Sequence, residues 1–103
     1  MFEKMRFEAF VQTSQPGEIS VLFIRETGCP HCEHAAEEMK KDTFFGSAPG
    51  IRFFETTIED EPLLASRLGL VGVPAFYKID AEGKKRVKTG FQSNDSLRAF
   101  IQS

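Results

Sequence analysis

Ile19-Ser20-Val21-Leu22-Phe23-Ile24-Arg25-Glu26-Thr27-Gly28-Cys29-Pro30-His31-Cys32 is the stretch that decides how this chain folds. Its near-continuous apolar opening, Ile19 to Ile24, predicts a strand covered on both faces of a sheet. Both cysteines of the chain follow that strand, separated only by Pro30 and His31. A helix beginning at Pro30 puts residues i and i+3 on one face, at about the separation a disulfide spans. Proline suits the first turn, where its missing N–H has no intrahelical partner to lose. A pair placed in this way opens and closes without moving the backbone far, as a redox site requires. The loop it closes is too small to restrain the unfolded chain much, so a structural staple is the poorer reading.

The chemistry follows from the two positions. Only a thiolate attacks a disulfide, and the amides and dipole at a helix start favour negative charge. Cys29 precedes the helix and is read as the nucleophile; Cys32, a turn inside, is read as the more buried resolving thiol. Exchange then runs through a mixed disulfide on Cys29, which Cys32 attacks. His31 stands between them. A protonated or hydrogen-bonding imidazole there stabilises the reduced form and makes the disulfide the stronger oxidant; the alternative is an exposed histidine with no electronic role. His34 is read as facing water. Cys29, His31, Cys32 and His34 are all possible metal ligands, but one rigid helix spreads them over more than one face. No other Cys or His cluster exists, so neither a metal nor a cofactor is expected. A c-type haem attachment needs histidine directly after the second cysteine, where Glu33 stands.

Outward from this stretch, the periodicity predicts a three-layer α/β domain spanning residues 1–103. Phe7, Phe10 and Val11 recur at helical spacing within Glu3 to Thr13, although Phe2, Met5 and Phe7 also fit a short opening strand. Ser14-Gln15-Pro16-Gly17 ends that element. The cysteine helix runs from Pro30 to Lys41, with Ala35, Ala36 and Met39 inward. Phe44 and Phe45 cover the core's end before the turn Gly46-Ser47-Ala48-Pro49-Gly50. Ile51 to Thr57 is a strand. Asp60 caps a short helix over Glu61 to Leu68, which Gly69 ends. Ala75 to Ile79 and Lys84 to Thr89 form a hairpin around Asp80-Ala81-Glu82-Gly83. A final helix starts near Ser93 or Asn94 and turns Leu97, Phe100 and Ile101 inward. The strand–helix–strand portion makes a right-handed parallel unit, and the hairpin adds antiparallel strands.

Composition narrows the function classes. The 103 residues are 41% hydrophobic, with 11 Phe, one Tyr and no Trp, which supplies a core without further cross-links. A net charge of -2 with no basic block leaves nucleic acid no electrostatic footprint. No apolar segment approaches a membrane span. The opening Met1-Phe2-Glu3-Lys4-Met5-Arg6 leads into no signal-like stretch, so the chain reads as cytoplasmic if complete and periplasmic or otherwise exported if a leader was removed. A monomer is expected.

Val73-Pro74 is the second informative feature. Proline is allowed at a strand start, and on residues alone the bond before it is expected to be trans. A cis bond would instead turn the N–H and C=O of Val73 outward, toward an incoming extended segment. Thr27-Gly28-Cys29-Pro30-His31-Cys32 after a hydrophobic strand, then Gly72-Val73-Pro74 and a hairpin ending in Gly90, together resemble the thioredoxin superfamily over nearly the whole chain. The resemblance implies thiol–disulfide exchange with protein substrates and a redox partner protein, on a central mixed sheet of at least four strands flanked by helices. It implies Cys29 as the attacking cysteine, Cys32 as the resolving one and Pro74 as a cis proline. Val73 becomes the residue whose backbone pairs with substrate, with Gly90 lining the same groove; Gly28, Pro30, Gly72 and Phe91 are further candidates for substrate contact.

Cys-Pro-His-Cys and the valine before the proline resemble the periplasmic disulfide oxidases of bacteria. Lys41 to Ile51, however, leaves no room for their helical insertion, and the size resembles thioredoxin. Gly28 stands where thioredoxins usually have tryptophan. The acidic residue that family buries six positions before the first cysteine is Phe23 here. Glu55, where thioredoxins commonly have lysine, is the candidate replacement as proton acceptor for Cys32; a solvent-facing or edge-strand glutamate is the other reading. Glu26 and Glu33 are read as surface charges. Two competing functions remain in view: a redox-gated protein-binding or chaperone module gripping through Val73, Pro74 and Phe91, and a thiol-based metal carrier.

Overall fold

A computed structural model describes Met1–Ser103, and its sheet is organised around the strand just quoted. That strand, β2 (Ile19–Arg25), follows β1 (Glu3–Lys4) and α1 (Phe7–Thr13). Next come α2 (Pro30–Lys40), the short turn of helix α3 (Phe44–Ser47), β3 (Ile51–Thr57) and α4 (Leu64–Leu68). The hairpin β4 (Ala75–Ile79) and β5 (Lys85–Thr89) and the last helix α5 (Asn94–Gln102) complete the chain. The five strands lie in the order β1-β3-β2-β4-β5. β3 pairs in parallel with both β1 and β2, while β4 runs antiparallel to β2 and β5. The register sets Phe23 beside Glu55 on one side and Phe76 on the other.

Because side chains alternate along a strand, β2 feeds both faces at once. Val21 and Phe23 join Ala35, Ala36 and Met39 of α2 and Leu97, Phe100 and Ile101 of α5 in one apolar layer. Leu22 and Ile24 join Phe7 and Phe10 of α1, Leu64 of α4, Phe54 and Tyr77 in the other. Flat stacking of Phe23 on Phe76, with centroids 5.2 Å apart, ties the two central strands together. Lys78 is fully buried beneath α5, where its amine donates to the carbonyls of Phe100 at 2.8 Å and Ile101 at 3.4 Å. These are carbonyls of the helix's last turn, which lack intrahelical donors.

Three expectations need correction in detail. The opening segment forms both a strand and a helix, because β1 pairs with β3 and closes with a bond from Met5 N–H to the Glu55 carbonyl at 3.0 Å. α4 begins at Leu64 rather than Glu61, and its N-cap is Leu63 with no side-chain hydrogen bond, so Asp60 caps nothing there. The reason is that Glu61 is drawn across the domain: its carboxylate accepts from the Phe7 N–H and the Thr56 hydroxyl. β5 starts one residue later than expected, since Lys84 belongs to the turn, where its N–H donates to Asp80. α5 does take Ser93 as its cap, the hydroxyl accepting from Ser96 N–H at 3.1 Å.

Candidate functional site

The loop from Glu26 to Gly28 carries the chain off the end of β2 and into α2. Gly28 lies at φ +77, in the left-handed region where a side chain is strained. Glu59 pins this loop from the β3 side by accepting the Thr27 N–H at 2.8 Å, and that bond holds its carboxyl below the usual range. Cys29 is the N-cap of α2, with Pro30 in the first turn. Its sulfur accepts the Cys32 N–H at 3.2 Å, as an N-cap side chain does. Cys29 is half-buried, Cys32 is wholly buried, and the two are unbridged.

Burial is the main influence on Cys32, pushing its thiol up to about 12, and the neighbouring Cys29 adds to the rise. A backbone hydrogen bond with Glu26 and the charge of Arg25 act in the opposite direction. Attack by this thiol therefore needs help in shedding its proton, because only the thiolate reacts.

Pro74 is buried at the start of β4, and the Val73–Pro74 peptide is cis. The Ile24–Ala75 pairing brings this proline to the same sheet end as the cysteine loop. Gly90, at φ +89, donates its N–H to the Pro74 carbonyl at 2.8 Å. No backbone hydrogen bond within the domain engages Val73. Beside it runs an open groove of about 390 Å³ lined by Glu26, Ile58, Ala65, Leu70, Val71, Gly72 and Val73, with Val71 90% exposed. A cavity of about 410 Å³ lies at the opposite end of the sheet, between Ser14–Pro16 and the β4–β5 turn, and holds no cysteine or histidine.

The residues singled out by sequence are not all in one place. Gly28, Cys29, Pro30, His31 and Cys32 share the β2–α2 junction, and Gly72, Val73, Pro74, Gly90 and Phe91 share the facing loops. His31 is exposed. His34 is exposed, as expected, and its ring stacks on Phe91, with centroids 4.5 Å apart and planes 15° apart. It thereby ties α2 to the segment after β5. Glu55 is neither solvent-facing nor on an edge: β1 covers its strand and it is 5% exposed. Its carboxylate accepts the Phe2 N–H at 2.7 Å and lies 3.3 Å from the Met1 amine. No three His, Cys, Asp or Glu side chains converge as metal ligands, and no helix is long and apolar enough to cross a membrane.

Arg25 escaped the sequence reading. Its guanidinium lies 2.9 Å from Glu33 on α2 and 3.8 Å from Glu55 on β3, and it sits 5.3 Å from the Phe23 ring centroid. The available signal was alternation: Val21, Phe23 and Arg25 share a face, so the strand's last residue points toward the cysteine helix.

Comparison with known proteins is consistent with this architecture. No protein-family model matches the chain, and no curated protein does so. Solved structures do. Trxlp from Edwardsiella tarda EIB202 aligns with TM-score 0.77 and 17% identity over 98% of each chain. The thioredoxin of Malassezia sympodialis aligns with TM-score 0.77 and 17% identity, over 99% of this chain and 89% of that one. A mutant thioredoxin from Halobacterium salinarum NRC-1 gives TM-score 0.73 and 17% identity, over 99% of this chain and 87% of its own. These likenesses show a thioredoxin-like fold. At the start of α2 it carries a Cys-x-x-Cys pair.

Proposed function

We propose that this chain is a thiol–disulfide oxidoreductase that exchanges disulfides with protein substrates, Cys29 attacking and Cys32 resolving. One observation carries the reading: a half-buried sulfur caps a helix start while a wholly buried thiol sits one turn behind it. In the reducing direction the Cys29 thiolate attacks a substrate disulfide, forms a mixed disulfide and expels one substrate thiolate. Cys32 then attacks the Cys29 sulfur and releases the second. Oxidation of substrate dithiols is the reverse, and a redox partner protein resets the pair.

The unpaired backbone of Val73 supports antiparallel pairing with an extended substrate segment. Gly28, Pro30, Gly72, Pro74, Gly90 and Phe91 form the rest of the groove in this reading. His31 favours the reduced form and so makes the disulfide the stronger oxidant. Support for Glu55 as the proton acceptor of Cys32 comes from its burial and from its strand position beside Phe23, on the α2 side of the sheet. The Cys-Pro-His-Cys sequence favours the oxidising direction, in likeness to the periplasmic disulfide oxidases.

A redox titration of the Cys29–Cys32 pair, run with insulin-reduction and thiol-oxidation assays, tests the proposal. We expect turnover in one assay at least and its loss in Cys29→Ser. Failure of the wild type in both assays, or turnover surviving Cys29→Ser, rejects it. The exposed Val71 beside an apolar groove favours one second reading, a binding module whose affinity the cysteines gate. Equal affinity for an unfolded peptide in the oxidised and reduced states removes that reading.

A further inference from the structure

We propose that the free edge of β5 is a docking site for an acidic, extended segment of a partner protein, which adds to the five-stranded sheet as a further strand. The site is separate from the cysteine junction and stands whether or not the exchange reading holds.

The sheet has two edges of unequal length. β1 offers only Glu3 and Lys4, too short to align a strand, whereas β5 runs over five residues, Lys85–Thr89. Its pairing with β4 continues from Ile79–Lys85 to Ala75–Thr89 without a bulge, and no proline interrupts it. Bonds from the Asp80 N–H to the Lys84 carbonyl and from the Gly90 N–H to the Pro74 carbonyl fix the phase of that ladder. Hydrogen-bonded pairs recur at every second residue of an antiparallel ladder, so Arg86 and Lys88 turn their backbone groups to β4. Lys85, Val87 and Thr89 turn theirs to the open edge. Gln92 closes the cysteine end, its amide donating to the Thr89 carbonyl at 3.3 Å. Both backbone groups of Lys85 and Val87, with the Thr89 N–H, are left for an incoming strand. Val87, 39% exposed, supplies an apolar contact.

Charge decides which strand fits. Lys84, Lys85, Arg86 and Lys88 stand within five residues, and setting their four charges aside takes the net charge of the chain from -2 to -6. The ion pairs of the domain use the Met1 amine, Arg25, Lys41, Arg67 and Arg98, and none of these four. Asp80 and Glu82 sit in the adjoining turn, where Asp80 Oδ1 accepts the N–H groups of Glu82 at 3.0 Å and Lys84 at 2.8 Å. On the α5 side, Arg86 and Lys88 each lie 5.8 Å from the Phe100 ring centroid, with the buried Lys78 amine 5.2 Å from the same ring. Arg86 also donates to the Ser103 hydroxyl at 3.0 Å. These contacts hold the cations beside the edge without neutralising them. Lys85 projects to the opposite face, so carboxylates on either face of an added strand meet a cation. Lysine on an edge guards against a second copy of the chain, because two antiparallel β5 strands would bring like charges together. The same charges attract a strand that carries carboxylates.

The probe is a short peptide alternating glutamate and valine, with a lysine–valine peptide as its control, and amide hydrogen exchange of the full chain is followed by NMR. Expected is slowed exchange at Lys85, Val87 and Thr89, with no change at Arg86 and Lys88, whose amides already bond β4. Affinity should fall with added salt, and the double variant Lys84→Glu, Lys85→Glu should weaken it about tenfold, the effect of reversing two surface charges. Val87→Pro removes an outward N–H that β4 does not use and keeps every cation, so it should abolish the slowed exchange. Should that variant fail to fold, a probe N-methylated along its backbone is measured on the wild type and should give no protection. Binding without slowed exchange at the three amides is charge adhesion only and overturns the proposal. So does equal binding of the lysine–valine peptide, equal protection by a single-stranded oligonucleotide, or dimerisation of the peptide-free chain through this edge. No protection at about 1 mM peptide overturns it as well.

Discussion

Glu55 and Glu61 are buried almost equally, at 5% and 7% exposure, in the two layers on opposite faces of the sheet. Their partners differ in kind. Glu61 accepts from the Phe7 N–H at 3.0 Å and the Thr56 hydroxyl at 2.8 Å, neutral donors that belong to α1 and β3. It supplies the start of α1 with the cap that Arg6 does not. Glu55 accepts one backbone N–H and faces two cations, the Met1 amine at 3.3 Å and the guanidinium of Arg25 at 3.8 Å, which also reaches α2. Burial therefore does not separate a structural carboxylate from one linked to the cysteine helix. The partners do: neutral donors pin Glu61 to α1 and β3, whereas a shared cation links Glu55 to Glu33 of the cysteine helix.

The largest effect that would sharpen this contrast belongs to Glu61→Ala. It strands the Phe7 N–H and the Thr56 hydroxyl in a dry layer, at a cost of about 2–4 kcal/mol. Urea unfolding measures the loss, and exchange rates of the folded fraction should stay at the wild-type value. If those rates fall as well, the two carboxylates are not separable and the contrast breaks.

Next is the reduced protein at alkaline pH. Cys32 is raised in the fold from 9.0 to about 12, so its neutral form is the one the fold favours. The sign is fixed by linkage: stability from this group is full below pH 9 and is lost as pH rises through the range up to about 12. Stability measured against pH should therefore fall across that window in wild type more than in Cys32→Ala, a difference that excludes the shared titration of Tyr77. Equal slopes would mean that Cys32 is not desolvated as described.

Glu55→Gln preserves volume and an acceptor for the Phe2 N–H, so its stability cost should be about 1 kcal/mol or less. Release from the mixed disulfide should slow severalfold and the first attack should not. Equal release rates would return Glu55 to a purely structural role beside Glu61. The smallest effect is expected for His31→Ala, which alters an exposed group outside both buried networks. Removing its support of the reduced form makes the disulfide a weaker oxidant, seen as a lower potential in the same titration. An unchanged or higher potential rejects the electronic role of His31.

Much of this was legible locally. The near-continuous apolar character of Ile19 to Ile24 marked a central strand, and proline next to cysteine marked the start of the cysteine helix. Asp80-Ala81-Glu82-Gly83 marked the hairpin turn, and Ser93 marked the cap of α5. Each of these signals rests on backbone geometry a few residues long. The rest has the opposite property. Asp60 was expected to begin a helix, but Glu61 instead bonds Phe7, distant in sequence, and α4 waits until Leu64. His34 is exposed, as its spacing predicts, but its stacking on Phe91 is a contact that spacing along the chain does not show. Arg25 ends its strand between carboxylates of α2 and β3, and neither is near it in sequence.

By itself the sequence determined the alternation of strands and helices, the Cys-x-x-Cys at a strand-to-helix junction and the proline that opens β4. Propensity, apolar period and turn chemistry are local, and they act before any long-range contact forms. Tertiary structure alone decided which charges lie in the dry layers and what they face. A carboxylate's partners are set by strand register and by which helix covers it: β1 against β3 turns Glu55 inward, and α2 over β2 traps Arg25 between Glu33 and Glu55. Electrostatic influence depends on separation and desolvation in space, and neither is encoded in spacing along the chain.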